Sequence, residues 1–170
     1  MARYVALLRG VNVGGNKLAM SDLTRVVEGL GGRDVQTYLQ SGNVVYGGPK
    51  KIGAELEQAL LGELGVRSPV LVRSGAELAA VVAAKPYAAD GKAVSVTFLA
   101  EPPAPPALSA IDPGAFGSDV FAVVGREIFL HTPDGYGRTK LNNAFWERKL
   151  STVATTRNWN TVLALAEMTA

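Results

Sequence analysis

Three short stretches of this 170-residue chain gather the side chains that handle anions. Residues 10–17 (GVNVGGNK), with Arg9 just ahead, place Arg9, Asn12, Asn16 and Lys17 around Gly14 and Gly15. Residues 135–140 (GYGRTK) place Arg138, Thr139 and Lys140 beside glycines, and residues 155–161 (TTRNWNT) place Arg157, Asn158 and Asn160 at the start of the last expected helix. Gln40, Ser41 and Asn43 form a fourth polar group. The chemistry these residues suit is anion recognition. A glycine-rich loop between a strand and a helix can aim backbone N–H groups at one point. Guanidinium and ammonium groups add charge-assisted hydrogen bonds, and a helix N-terminus favours negative charge.

Each residue also has a plainer reading. Glycines serve a tight connector that needs positive φ. Asn158 suits a simple helix cap, Trp159 a core anchor, and Gln40, Ser41 and Asn43 a turn. The first loop is not a nucleotide-binding P-loop. Gly10 and Gly15 have the right separation, but Asn16 stands where a glycine should precede Lys17, and Leu18 replaces the magnesium-binding hydroxyl.

Other site chemistries find little support. The one histidine, His131, ends an apolar strand-like run, which suits packing better than a His-based triad. HExxH, CxxC and GxSxG motifs are missing. With no cysteine, disulfides, thiolate zinc sites and thiol catalysis are excluded, and a reducing compartment fits. No metal site is expected. The net charge of +2 is too small to draw the whole protein onto nucleic acid or membrane. No apolar run has membrane-spanning length, and the N-terminal residues do not read as a signal peptide. The expectation is a cytoplasmic protein with no membrane partner.

The elements that must position these residues follow from periodicity. Residues 3–8 read as a strand. Leu23, Val26, Val27 and Leu30 form one helix face, with Ser21 as its N-cap, ended by Gly31 and Gly32. Residues 35–39 and 44–46 flank the turn at 40–43 as a hairpin. Ile52, Leu56, Ala59, Leu60 and Leu64 form a second helix face, and residues 69–72 a strand. Ser74 and Glu77 make a capping box for a connecting helix that Lys85-Pro86 closes.

The plan then repeats. A strand at 94–99 and a short helix after the prolines at 102–106 come first. Next is a hairpin around Gly125-Arg126, of type II′ because glycine comes first. A helix from about 142 to 150, a strand at 152–156 and a C-terminal helix opened by Asn158 complete it. The repetition lies in the plan, with no convincing repeat of residues. The expected class is α+β: two ferredoxin-like β-α-β-β-α-β halves with antiparallel sheets, a connecting helix and a C-terminal helix. The expected boundaries are 1–73, 74–92 and 93–170.

Four runs, YVALLRGVNVGGNK, TYLQSGNVVY, LHTPDGYGRTKL and TTRNWNTV, occur in that order. On them, the chain resembles the bacterial family known as domain of unknown function 1697 (DUF1697), from Arg3 to Met168. The resemblance implies two α/β plaits in one chain and no established activity, cofactor or catalytic residue. One departure is Asn142-Asn143, where a Thr-Pro helix start is expected; Asn142 can still cap.

The leading expectation is a binding module for a phosphate-bearing small molecule or nucleotide, in a groove between the halves. Its donors are Arg9, Asn12, Gly14, Gly15, Lys17, Gln40, Ser41, Asn43, Arg138, Lys140, Arg157, Asn158 and Asn160. The rivals are a group-transfer enzyme and a structural or assembly protein without ligand. Nucleic acid is a weaker partner: Tyr4 and Tyr46 suit neighbouring strands, but an aromatic-rich RNP1 motif is missing. The residues alone name no cofactor.

Overall fold

The computed structural model describes residues 1–89 and 91–170; Asp90, inside the expected connector, lies outside the described residues. Two compact units emerge, residues 1–80 with 164–170, and residues 81–163.

The first unit runs β1 (Arg3–Leu8), α1 (Met20–Gly29), β2 (Arg33–Thr37), β3 (Asn43–Gly47), α2 (Gly53–Leu64) and β4 (Val70–Ser74), and α3 (Gly75–Ala83) begins in it. The strands form one antiparallel sheet in the order β2-β3-β1-β4. Alternation along the strands selects one face. Ala6, Leu8, Val44, Tyr46 and Val72 pack with Leu23 and Val27 of α1 and with Leu56 and Leu60 of α2. Each large aliphatic side chain buried this way contributes roughly 1.5–3 kcal/mol. Val5, Leu7, Val45 and Leu71, on the alternate positions, are buried as well, which is why these strands read as continuous apolar runs. The chain's last residues belong here too: the Arg3 guanidinium donates to the Met168 carbonyl at 3.1 Å.

Tyr46 ties the sheet to the entry of α2. Its hydroxyl accepts from the Ile52 amide at 3.1 Å and donates to the Lys50 carbonyl at 3.3 Å. Burial pushes its pKa up to about 12, against the opposing effect of the Ile52 hydrogen bond. Tyr46→Phe strands the buried Ile52 amide and should cost about 1–3 kcal/mol. The sign of the pH effect follows from the raised value. The stabilisation is complete below about pH 10, where the unfolded tyrosine stays protonated, and is lost as pH climbs toward about 12. In urea titrations at about pH 8 and about pH 11, the gap between wild type and variant should narrow at the higher pH. A gap that widened would contradict this account.

The second unit contains β5 (Val94–Leu99), α4 (Pro105–Ser109), β6 (Val120–Val124), β7 (Glu127–His131), α5 (Asn143–Leu150) and β8 (Ala154–Asn158), and α6 (Trp159–Met168) begins in it. Its antiparallel sheet is ordered β6-β7-β5-β8, the same arrangement as the first. Leu99, Ile128, Leu130, Leu141, Trp146 and Ala154 form its core. Gly125, at φ 62°, opens the β6–β7 turn as the sequence predicts.

Strand register exposes a residue-level correspondence that periodicity does not reveal. Val5 of β1 faces Arg73 of β4, and Val96 of β5 faces Arg157 of β8. The next residue caps the following helix in both places. Ser74 and Glu77 exchange the two capping-box hydrogen bonds at 2.8 and 3.2 Å. Asn158 Oδ1 accepts from the Thr161 amide at 2.8 Å. Both arginines are buried, Arg73 to 1% exposure and Arg157 to 7%.

Three local expectations need correction. Ser21 is not the N-cap of α1: the helix starts at Met20 behind Ala19, and no side chain caps it. β2 begins and ends two residues early, because Leu39 turns left-handed at φ 62° and cannot extend the strand, while Asp34 at φ 49° accompanies a register shift near Arg33. β8 runs on through Arg157 and Asn158, since ladder pairing to Val96 and Ser95 continues despite their polarity.

Candidate functional site

The β1–α1 loop of the first unit, residues 9–19, holds its shape through two asparagines. Asn12 sits at φ 57°, a region asparagine tolerates better than most residues. Its side-chain amide donates to the carbonyls of Leu18 at 3.0 Å and Gln40 at 2.6 Å, and its Oδ1 accepts from the Leu18 amide at 2.9 Å. Asn16 donates to the carbonyls of Gly10 and Arg67, both at 3.0 Å. The loop is thereby stitched to the β2–β3 turn and to the segment leading into β4. Both N–H groups of each side-chain amide are committed within the chain, and through them Asn12 and Asn16 set the backbone geometry of the loop.

What the loop leaves open is backbone. Gly14 and Gly15 take φ of 57° and 89°, and both are exposed. Among the described residues, the amides of Val13, Gly14 and Gly15 donate no hydrogen bond within the chain. Lys17 is exposed beside them. Gly15, Lys17, Asn12, Ala19 and Gln40 line an open depression of about 430 Å³. Val13 (63% exposed) and Leu39 (54% exposed) stand out on the two stitched loops.

The other expected site residues divide between structural and open roles. Arg9 is half-buried; its amide donates to the Pro69 carbonyl at 2.9 Å, and its carbonyl accepts from Ser68 Oγ at 2.9 Å. Asn43 is fully buried and donates to the Tyr38 carbonyl at 2.7 Å and to Ser41 Oγ at 3.0 Å. Gln40 and Ser41 are exposed in the same turn. In the second unit, Arg157 Nη1 donates to Thr155 Oγ1 at 2.8 Å and to the Thr156 carbonyl at 3.0 Å, while Asn158 caps α6. Asn160 is exposed and packs its side chain close to Gly91. Arg138 and Lys140 are exposed around a short 3-10 turn. The expected site residues thus belong in part to the first unit, around its β1–α1 loop and β2–β3 turn, and in part to the second. His131 packs against Tyr87, with ring centroids 5.6 Å apart and the planes tilted by 33°. Among the described residues, no three metal-ligating side chains gather, and no helix is long and apolar enough to cross a membrane.

The family described as "Protein of unknown function (DUF1697)" matches residues 1–129. The chain belongs to the DUF1697 family. Among solved structures, the conserved bacterial protein SP0830 from Streptococcus pneumoniae is similar over 99% of both chains, with a TM-score of 0.74 and 22% identity. That likeness concerns the fold. No curated protein matches the chain.

Within this DUF1697 protein the two units provide an internal comparison. Each joins its first strand to its first helix. The second unit does so with residues 100–104, AEPPA, whereas the first uses residues 9–19. The short connector shows that topology does not demand the longer glycine-rich one. Local pattern does not mark Val13 and Leu39 as exposed. Leu39 sits in a run of β-formers, and nothing local announces its left-handed backbone.

Proposed function

We propose that the two units are ferredoxin-like halves and that the β1–α1 loop of the first binds a phosphate-bearing small molecule. The open amides of Val13, Gly14 and Gly15 beside Lys17 carry this reading. Successive backbone N–H groups around left-handed residues form a concavity suited to anionic oxygens. The ammonium of Lys17 adds charge from an exposed position. Asn12 and Asn16 hold the loop in that form before any ligand arrives, which lowers the ordering cost of binding. The connector length supports the reading, because the second unit closes the same strand-to-helix step without glycines. Arg157 and Asn158 serve the fold of the second unit in this reading.

Calorimetry with inorganic phosphate, nucleoside monophosphates and sugar phosphates tests it. Binding should weaken with added salt. Lys17→Gln should reduce affinity about tenfold or more while leaving the melting temperature in place, since a charge-assisted hydrogen bond is worth roughly 1.5–3 kcal/mol. Arg157→Ala should instead lower stability and leave affinity unchanged. No binding of any phosphate by the wild type, or full affinity in Lys17→Gln, would remove the loop from consideration.

A further inference from the structure

The second unit holds a concavity of about 550 Å³ whose lining combines an apolar floor with a cationic rim. Ile111, Phe116 and Phe145 supply the floor, and Lys140, Arg148 and Lys149 the rim. Asp112 is the one carboxylate in the lining, and its Oδ1 accepts from the Gly114 amide at 2.9 Å. The Arg148 guanidinium lies 5.8 Å above the Phe145 ring. An arginine held over an aromatic face keeps its in-plane N–H edge for a second partner. The rim residues are exposed, so their charge is available without a desolvation cost already spent on internal pairs.

The geometry points to a binding site for an amphipathic organic monoanion, a carboxylate on an aromatic or aliphatic body. Volume, floor and rim each restrict the choice. A cavity of this size suits a small molecule rather than a lone ion. The aromatic floor requires an apolar body that inorganic phosphate lacks. The rim requires negative charge, which a neutral hydrophobe lacks. Asp112 disfavours a dianion, because a second negative charge would face its carboxylate. The site lies within the second unit and is independent of the phosphate loop in the first.

Anilinonaphthalene sulfonate is a suitable fluorescent probe, with neutral phenylnaphthylamine for comparison and naphthoate as competitor. The native protein should bind the sulfonate saturably and release it to naphthoate, and should bind the neutral dye more weakly by about tenfold. Arg148→Gln should weaken the sulfonate by about tenfold or more, and Lys140→Gln by a smaller factor. Both positions are exposed, so circular dichroism and melting should match wild type. Lys17→Gln should leave the dye untouched, which separates this site from the phosphate loop. Lys50→Gln, beside the apolar hollow of the first unit lined by Tyr46 and Ile52, should also leave it untouched. Full affinity in Arg148→Gln, equal affinity for the neutral dye, or no saturable binding would overturn the proposal.

Discussion

Trp146→Ala should destabilise the second unit by about 3–5 kcal/mol, the cost of an unfilled cavity in a close-packed core. Trp146 is fully buried. Its ring meets Phe121 edge-on at 5.1 Å and lies 5.0 Å from Phe145, among Leu99, Ile128 and Leu130. At roughly 2–4 °C per kcal/mol for a chain of this size, the melting temperature should fall on the order of 10 °C or more. Trp146→Phe discriminates between causes. Among the described residues the indole Nε1 has no hydrogen-bond partner, so phenylalanine removes volume and breaks no hydrogen bond seen there. Its cost should stay near 1–2 kcal/mol. Urea unfolding followed by far-ultraviolet circular dichroism reads both variants. Equal losses for Phe and Ala would mean that a polar contact of the indole, not its packing, holds the core.

The difference between this core and the candidate sites explains what the sequence makes legible. Helix faces such as Leu23, Val26 and Val27 announce themselves because their spacing is local and their burial follows from it. The Ser74–Glu77 capping box and the Asn142 cap, whose Oδ1 accepts from the Phe145 amide at 2.9 Å, are equally local. The roles of Asn12 and Asn16 are not. Their partners include Gln40 and Arg67, far along the chain, so composition marks the loop as polar without showing which polar groups are already used. Arg73 and Arg157 show another limit of local reading. Arginine reads as a surface residue or a ligand donor, yet both lie in β-ladders and are withdrawn from solvent. The cationic concavity of the second unit is invisible to motif reading for a third reason. Asp112, Lys140 and Arg148 come from three separate segments, and only α5, with the segments packed beside it, brings them together.

Gly42→Ala should be the most damaging substitution around the loop proposed to bind phosphate, although Gly42 lies in the neighbouring β2–β3 turn and touches no ligand in the proposed arrangement. Gly42 adopts φ 90°, where an L-residue loses roughly 1–2 kcal/mol to steric strain. A Cβ there would also stand 2.7 Å from Val11 Cγ2 and 2.9 Å from Leu8 Cβ. Those atoms belong to buried residues at the end of β1 and the start of the loop, and overpacking a filled core adds about 1–3 kcal/mol. The combined loss should be about 2–5 kcal/mol. Gly14→Ala provides the contrast. Gly14 has a positive φ of 57° with open space around it, so strain alone remains, about 1 kcal/mol. The damage at Gly42 also has a direction. Its carbonyl accepts from the Leu8 amide at 2.9 Å, and displacement of Leu8 and Val11 shifts the base on which Asn12 holds the loop. Phosphate affinity and stability should therefore fall together in Gly42→Ala, while Lys17→Gln loses affinity alone. Thermal melts and phosphate calorimetry on the three variants decide the matter. A Gly42→Ala protein as stable as wild type would show that the β2–β3 turn relaxes freely and does not brace the loop.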